Sequence, residues 1–114
     1  MSDCIFCKII AGEIPSEVLF EDEDSFAFKE INPVAPHHFL VVPRKHIATV
    51  NDLGDEDREL AGHLLQVAAE VCRKLGVAES GYRIVSNVNK DAGQEVFHIH
   101  LHVLAGRKLG WPPG

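Results

Sequence analysis

Three histidines alternate with apolar residues near the end of the chain, in FHIHLHVL at 97–104. Imidazole titrates near neutral pH, so one ring can attack a substrate while another donates a proton. An attacking ring needs its second nitrogen fixed as N–H by an acceptor, which exposes the lone pair of the first. His98, His100 and His102 cannot all bind one metal from a regular strand, because same-face side chains repeat every ~6.8 Å and metal–nitrogen bonds are ~2 Å. The three rings therefore have different duties. The preceding loop, VNKDAGQE at 88–95, carries Gly93, where backbone N–H groups could turn toward phosphate oxygens. Asn87 offers an amide for a ribose hydroxyl or a phosphate. Together these groups suit attack on a phosphate ester or a phosphoramidate.

Cysteine chemistry is the second candidate. Cys4 and Cys7 form a CxxC, and Cys72 lies in a helical pattern as a small core residue. A redox CxxC normally follows a strand in a βαβ setting, which the start of this chain lacks. Half of a zinc site, completed by histidines elsewhere, is the better reading of the pair. Three cysteines make no disulfide framework.

The elements that must hold these residues follow from periodicity. Strict alternation makes 97–104 a strand, with Phe97, Ile99, Leu101 and Val103 toward the core and the histidines on the opposite face. CIFCKIIA (4–11) reads as a short helix closed by Gly12. SEVLF (16–20) and SFAFKEI (25–31) read as a hairpin around EDED, HFLVVP (38–43) as a third strand and YRIVSN (82–87) as a fourth. The longest helix spans about 55–75, with acidic residues in its first turn, Arg73 and Lys74 in its last and Gly76 beyond it. Strands come in runs rather than alternating with helices, so the chain is α+β with a five-stranded, mostly antiparallel sheet, one long helix and one short. The apolar arc of the long helix is roughly 200° wide, whereas one sheet needs little more than about 100°. The surplus, which includes Leu65, points to a second copy of the chain.

Composition narrows the function. With 114 residues, 46% hydrophobic and 25% charged, the chain is one domain, 1–114. A net charge of −6 and the lack of a Lys/Arg stripe argue against nucleic acid as partner. The first ten residues make no signal peptide and no run spans a membrane, so a cytoplasmic location is expected.

HIHLHVL is similar to the His-φ-His-φ-His-φ-φ signature of the histidine triad family of nucleotide hydrolases and transferases. The likeness covers almost the whole chain, through CIFCKII, INPVAPHHFLVVPRKHI, GYRIVSNVNKDAGQEVFHIHLHVLAGR and the tail WPPG. It favours the nucleotide-binding phosphoramidase branch, since a transferase would carry Gln at the position of His102. The resemblance implies that His100 attacks the α-phosphate and becomes nucleotidylated, that water releases a mononucleotide, and that His102 contacts the phosphate or leaving group. It implies a phosphate lining from Gly93, Gln94 and Glu95 with Asn87 nearby, and Glu30 and Ile31 at the ribose and base. Phe6, Ile9, Phe28 and Leu40 would form the nucleobase slot, although the residues by themselves read equally well as core. His38 would support the catalytic strand by hydrogen bonding. Glu95 replaces a common Ser and Glu30 a common Asp, and an acidic group at 95 would either weaken an anionic ligand or favour a cationic leaving group.

The same resemblance implies a structural zinc on Cys4, Cys7, His46 and His98, with no cofactor needed for the chemistry. It also implies a homodimer with the sheet extended across it, and a tail (105–114) whose Trp111 reaches the other subunit's site. The expected activity is hydrolysis of purine nucleoside 5′-phosphoramidates, releasing AMP. Hydrolysis of dinucleoside polyphosphates is the alternative within the family. A zinc-stabilised nucleotide-binding module without important catalysis is the alternative outside enzymology.

Overall fold

Asp22 shows how the first hairpin closes. In the computed structural model, which describes residues 3–114, its Oδ1 accepts the N–H groups of Asp24 and Ser25 and the Ser25 hydroxyl, at 2.8–3.0 Å. An aspartate can hold a turn in this way because its short carboxylate reaches the backbone just ahead. The turn joins β1 (Val18–Glu21) to β2 (Ser25–Lys29), and β2 pairs with β3 (His37–Pro43) from Ser25 opposite Pro43 to Lys29 opposite Phe39. β5 (Leu101–Ala105) lies between β3 and β4 (Tyr82–Val85), with His102 opposite both Leu40 and Val85. The sheet order is β1-β2-β3-β5-β4, antiparallel at every pairing.

Both faces of the central strands are covered, which explains why FLVV in β3 is an unbroken buried run. On one face, Ala27, Phe39, Val41 and Val103 pack with Leu64, Val67, Ala68 and Val71 of helix α2 (Arg58–Lys74). On the other, Phe26, Phe28, Leu40 and Val42 pack with Phe6 and Ile9 of helix α1 (Ile5–Ile10). Cys72 is fully buried in the first cluster, and burial pushes its thiol up to about 11, as suits a core residue. None of the described helices is long and apolar enough to cross a membrane.

The structure shortens and subdivides several expected elements. The long helix begins with a 3₁₀ turn at Asp55–Asp57 before α2, and the loop at 88–95 contains a single helical turn, α3 (Asn89–Ala92). The histidine strand pairs only from Leu101 onward. Ahead of it the chain leaves the ladder, as the Ile99 N–H donates to the Ile47 carbonyl in the loop beyond β3. Phe97 therefore does not face the core, and 48% of it is exposed. Ile99 and Val103 are buried as alternation requires.

Candidate active site and metal group

The bend before β5 gives each histidine its own partners. The His98 ring is fully buried, and its Nε2–H donates to the Pro43 carbonyl at 2.7 Å. A carbonyl only accepts, so Nδ1 of the neutral ring keeps its lone pair. That nitrogen lies 3.3 Å from Cys4 Sγ and 3.6 Å from Cys7 Sγ, and His46 Nδ1 lies 3.4 Å from Cys7 Sγ. All four ligand atoms fall within 4.8 Å of one another. An ion held tetrahedrally by ~2.3 Å sulfur and ~2.0 Å nitrogen bonds places S and N about 3.5 Å apart. The residues fit a closed four-ligand metal site.

His100 is turned the other way. Its Nδ1–H donates to the His98 carbonyl at 2.8 Å, so Nε2 carries the lone pair. The ring is buried and packs edge-on against Phe6 and His102, with centroids 5.0 Å apart in each pair.

His102 is set by a chain of donors that begins in the backbone. Val34 N–H donates to His38 Nδ1 at 3.1 Å, so the neutral His38 ring must carry its hydrogen on Nε2. His38 Nε2–H then donates to His102 Nδ1 at 2.9 Å, which leaves His102 with an Nε2–H. Burial holds the His38 pKa below the usual imidazole range. Burial, then the neighbouring His100 and His38, pushes His102 down to about 4 against an opposing pull from Glu30. His102 is therefore a neutral hydrogen-bond donor at pH 7 before anything anionic arrives.

These rings border a cleft of about 670 Å³. The structure brings eleven of the expected substrate-site residues to it: Phe6, Ile9, Phe28, Glu30, Ile31, Leu40, Asn87, Gly93, Glu95, His100 and His102. His38 stands behind His102, and His46 and His98 belong to the metal group. Gln94 is placed differently. Its side chain is buried, accepting from Asn89 N–H and donating to the carbonyls of Ala48 and Val96, so it ties the loop to the body. The N–H groups of Gly93 and Gln94 also turn back, to the carbonyls of Lys90 and Asn89. Gly93 sits at φ 80° as the left-handed cap of α3, and a cap uses its amides to satisfy the helix end. Trp111 is 82% exposed beside the Arg83 guanidinium, away from the cleft of its own chain.

Other contributors were absent from the sequence reading. Ile5, Ile14, Pro15, Ser16, Glu17, Lys29 and Val96 also line the cleft. Ile5 lies one turn before Ile9 on α1, a signal the helical spacing did carry, whereas Ile14 follows the helix. Val34 acts through its backbone N–H, and no side-chain pattern announces that.

The HIT domain profile matches residues 11–109. The chain belongs to the HIT family. Across 108 residues it is 46% identical to the purine nucleoside phosphoramidase of Escherichia coli K12, covering 95% of this chain and 91% of that protein. A HIT family hydrolase from Legionella pneumophila Philadelphia 1 superposes with a TM-score of 0.96 at 54% identity, covering 98% of this chain and all of the other. A histidine triad protein from Clostridium difficile gives a TM-score of 0.93 at 44% identity, covering 96% of both chains. The chain is a HIT-family hydrolase, and its sheet and helices are those of the family.

Proposed function

We propose that this HIT hydrolase cleaves the P–N bond of purine nucleoside 5′-phosphoramidates through a nucleotidyl-histidine. The observation that carries the reading is the fixed tautomer of His100, with Nδ1–H locked on a carbonyl and Nε2 bare. In the first step the Nε2 lone pair attacks the α-phosphorus and the P–N bond to the leaving amine breaks. His102, already an N–H donor, hydrogen-bonds the phosphoryl or leaving group. The His38 N–H occupies its Nδ1, so the ring stays neutral and the leaving nitrogen takes the proton that completes the amine from solvent. Water then attacks phosphorus, the bond to His100 breaks, and the mononucleotide, AMP for an adenosine substrate, departs. The phosphoramidase name of the E. coli relative supports this substrate class. The apolar wall of Phe6, Ile9, Phe28 and Leu40 suits a purine, and Glu30, Ile31 and Asn87, which line the same cleft, are the proposed ribose partners.

Charge favours the phosphoramidate over a dinucleoside polyphosphate. Glu17, Glu30 and Glu95 line the cleft, while Lys29 is held by Glu17 at 3.0 Å. Additional phosphates would meet an acidic rim. The test is a rapidly quenched reaction of wild type with an adenosine 5′-phosphoramidate. A phosphorus–nitrogen adduct should be found on His100, and an adduct elsewhere, or none during steady turnover, would refute the covalent route.

Zinc is the proposed occupant of the Cys4, Cys7, His46 and His98 group, in a structural role. Thiolate and imidazole together suit it, and four protein ligands leave no position for water or substrate. A reducing, cytoplasmic setting would keep both cysteines available to a metal. A homodimer is proposed from the surface of α2. Leu65 is 51% exposed beside an apolar groove formed with Val50, Leu53, Leu60 and Leu101. In such a pair, the tail at Trp111 would have its opportunity to meet the other subunit's cleft.

A further inference from the structure

We infer that the metal group sets the affinity of the cleft for the nucleobase, through the position of α1, and leaves the chemical step alone. The inference rests on reading the cleft as a purine nucleotide site. α1 has six residues, far below the roughly 12–15 at which an isolated helix becomes even marginally stable in water. Its flanking backbone hydrogen bonds close on the segment itself: Lys8 to Cys4, Ala11 to Cys7, Gly12 to Ile9 and Glu13 to Lys8. What fastens the helix to the sheet is side chains. Phe6 and Ile9 insert beside Phe28 and Leu40, and Cys4 and Cys7 meet His98 and His46. An ion in that group would rivet α1 to the segments that follow β3 and precede β5.

The same helix supplies one wall of the cleft. Phe6 and Ile9 line it together with Phe28 and Leu40, and Phe6 packs edge-on against Phe28 with ring centroids 5.6 Å apart. If the rivet is lost, that wall loosens. The tautomer and aim of the nucleophile, by contrast, are held by the backbone carbonyl of His98 and not by its ring, and Phe6 adds only an edge contact to it. The His98 ring keeps its own anchor on the Pro43 carbonyl whether or not an ion sits at Nδ1. Metal loss should therefore act on binding of the base and spare the attack on phosphorus.

The experiment compares the metal-loaded full chain with Cys4→Ser/Cys7→Ser, with His46→Ala and with chelated wild type, after metal content and folding are measured. Calorimetric titration uses AMP and, as a base-free probe, ribose 5-phosphate. Metal-depleted protein should bind AMP about tenfold or more weakly, the loss expected when one apolar wall of a pocket is no longer fixed. Its affinity for ribose 5-phosphate should be unchanged. Amides at 5–13 should exchange hydrogen faster, and on adenosine 5′-phosphoramidate KM should rise while kcat stays within about threefold. Unchanged AMP affinity, equal losses for both ligands, or a fall in kcat at constant KM would overturn the inference. So would global unfolding of every metal-depleted form, since the group would then hold the whole fold. If wild type binds AMP but turns over no phosphoramidate, the catalytic reading fails while the AMP comparison still decides the coupling. If wild type binds no AMP, both fail.

Discussion

His100 and His98 are two residues apart and have opposite tautomers, because each meets a carbonyl with a different nitrogen. Removal of the first should abolish the covalent step. His100→Ala should lose more than the roughly 10²–10⁴-fold typical of one acid–base group while retaining fold and metal, measured by steady-state turnover and metal analysis. Near-normal turnover by this variant would reject the nucleophile assignment. pH should act on stability through His102 and His38, both held neutral by burial. Above the ordinary imidazole pKa of about 6.5 neither folded nor unfolded chain is protonated at these sites. As pH falls below it the unfolded chain takes up protons that the folded chain refuses, so stability declines toward pH 4. For His102 the loss by pH 4 is on the order of 2–3 kcal/mol. Urea titrations from pH 7.5 to 4.5 should show this slope, and His102→Asn should flatten it. That the three histidines would have different partners was legible in the alternation, because a strand cannot focus three rings on one ion. The tautomers were not, since they depend on carbonyls and an N–H contributed from Pro43, His98 and Val34.

At the scale of elements, the ends of two strands depend on single residues. Asp22 closes the β1–β2 turn by accepting three hydrogen bonds on one oxygen and meets His63 of α2 with the other, at 2.7 Å. Burial works against the carboxylate, but the bonds from Ser25, His63 and the turn amides outweigh it and hold the pKa at about 2. Asp22→Ala should cost about 1–3 kcal/mol, most of it from the turn and little from the half-exposed His63 pair, read as a lower urea midpoint. An unchanged midpoint would remove the turn from the account. Gly106, at φ 99°, follows β5 where a Cβ would come within 2.7 Å of Pro36. Gly106→Ala should lower the melting temperature, and an unaltered one would show that the 33–36 loop yields freely. Strand and helix identities followed from periodicity, and EDED marked the hairpin. The one-turn helix at Asn89 and the late start of β5 did not follow, because Gln94 and Ile99 find their partners at Ala48 and Ile47, far away in sequence.

At the scale of the molecule, the wide apolar arc of α2 is visible both in the sequence and in the exposed Leu65. Leu65→Glu should leave the monomer folded and weaken self-association by more than about tenfold, by analytical ultracentrifugation. A wild-type chain that sediments as a monomer at micromolar concentration would exclude the dimer. The cleft itself was only half legible, since apolar residues in α1 and β2 look the same whether they meet core or ligand. The covering of both sheet faces has a further consequence for how such a sequence can drift. In β2, β3 and β5 the pairing keeps even numbers beside even numbers, as in Phe26 with Val42 and Leu40 with His102. Even positions in these three strands look toward α1 and the cleft, and odd positions such as Ala27, Phe39, Val41 and Val103 look toward α2, while Lys29 at the end of β2 reaches the cleft rim. Parity is thus an address within the buried sheet: even positions are where a descendant can acquire a new substrate, and buried odd positions are where it can change only how long it lasts.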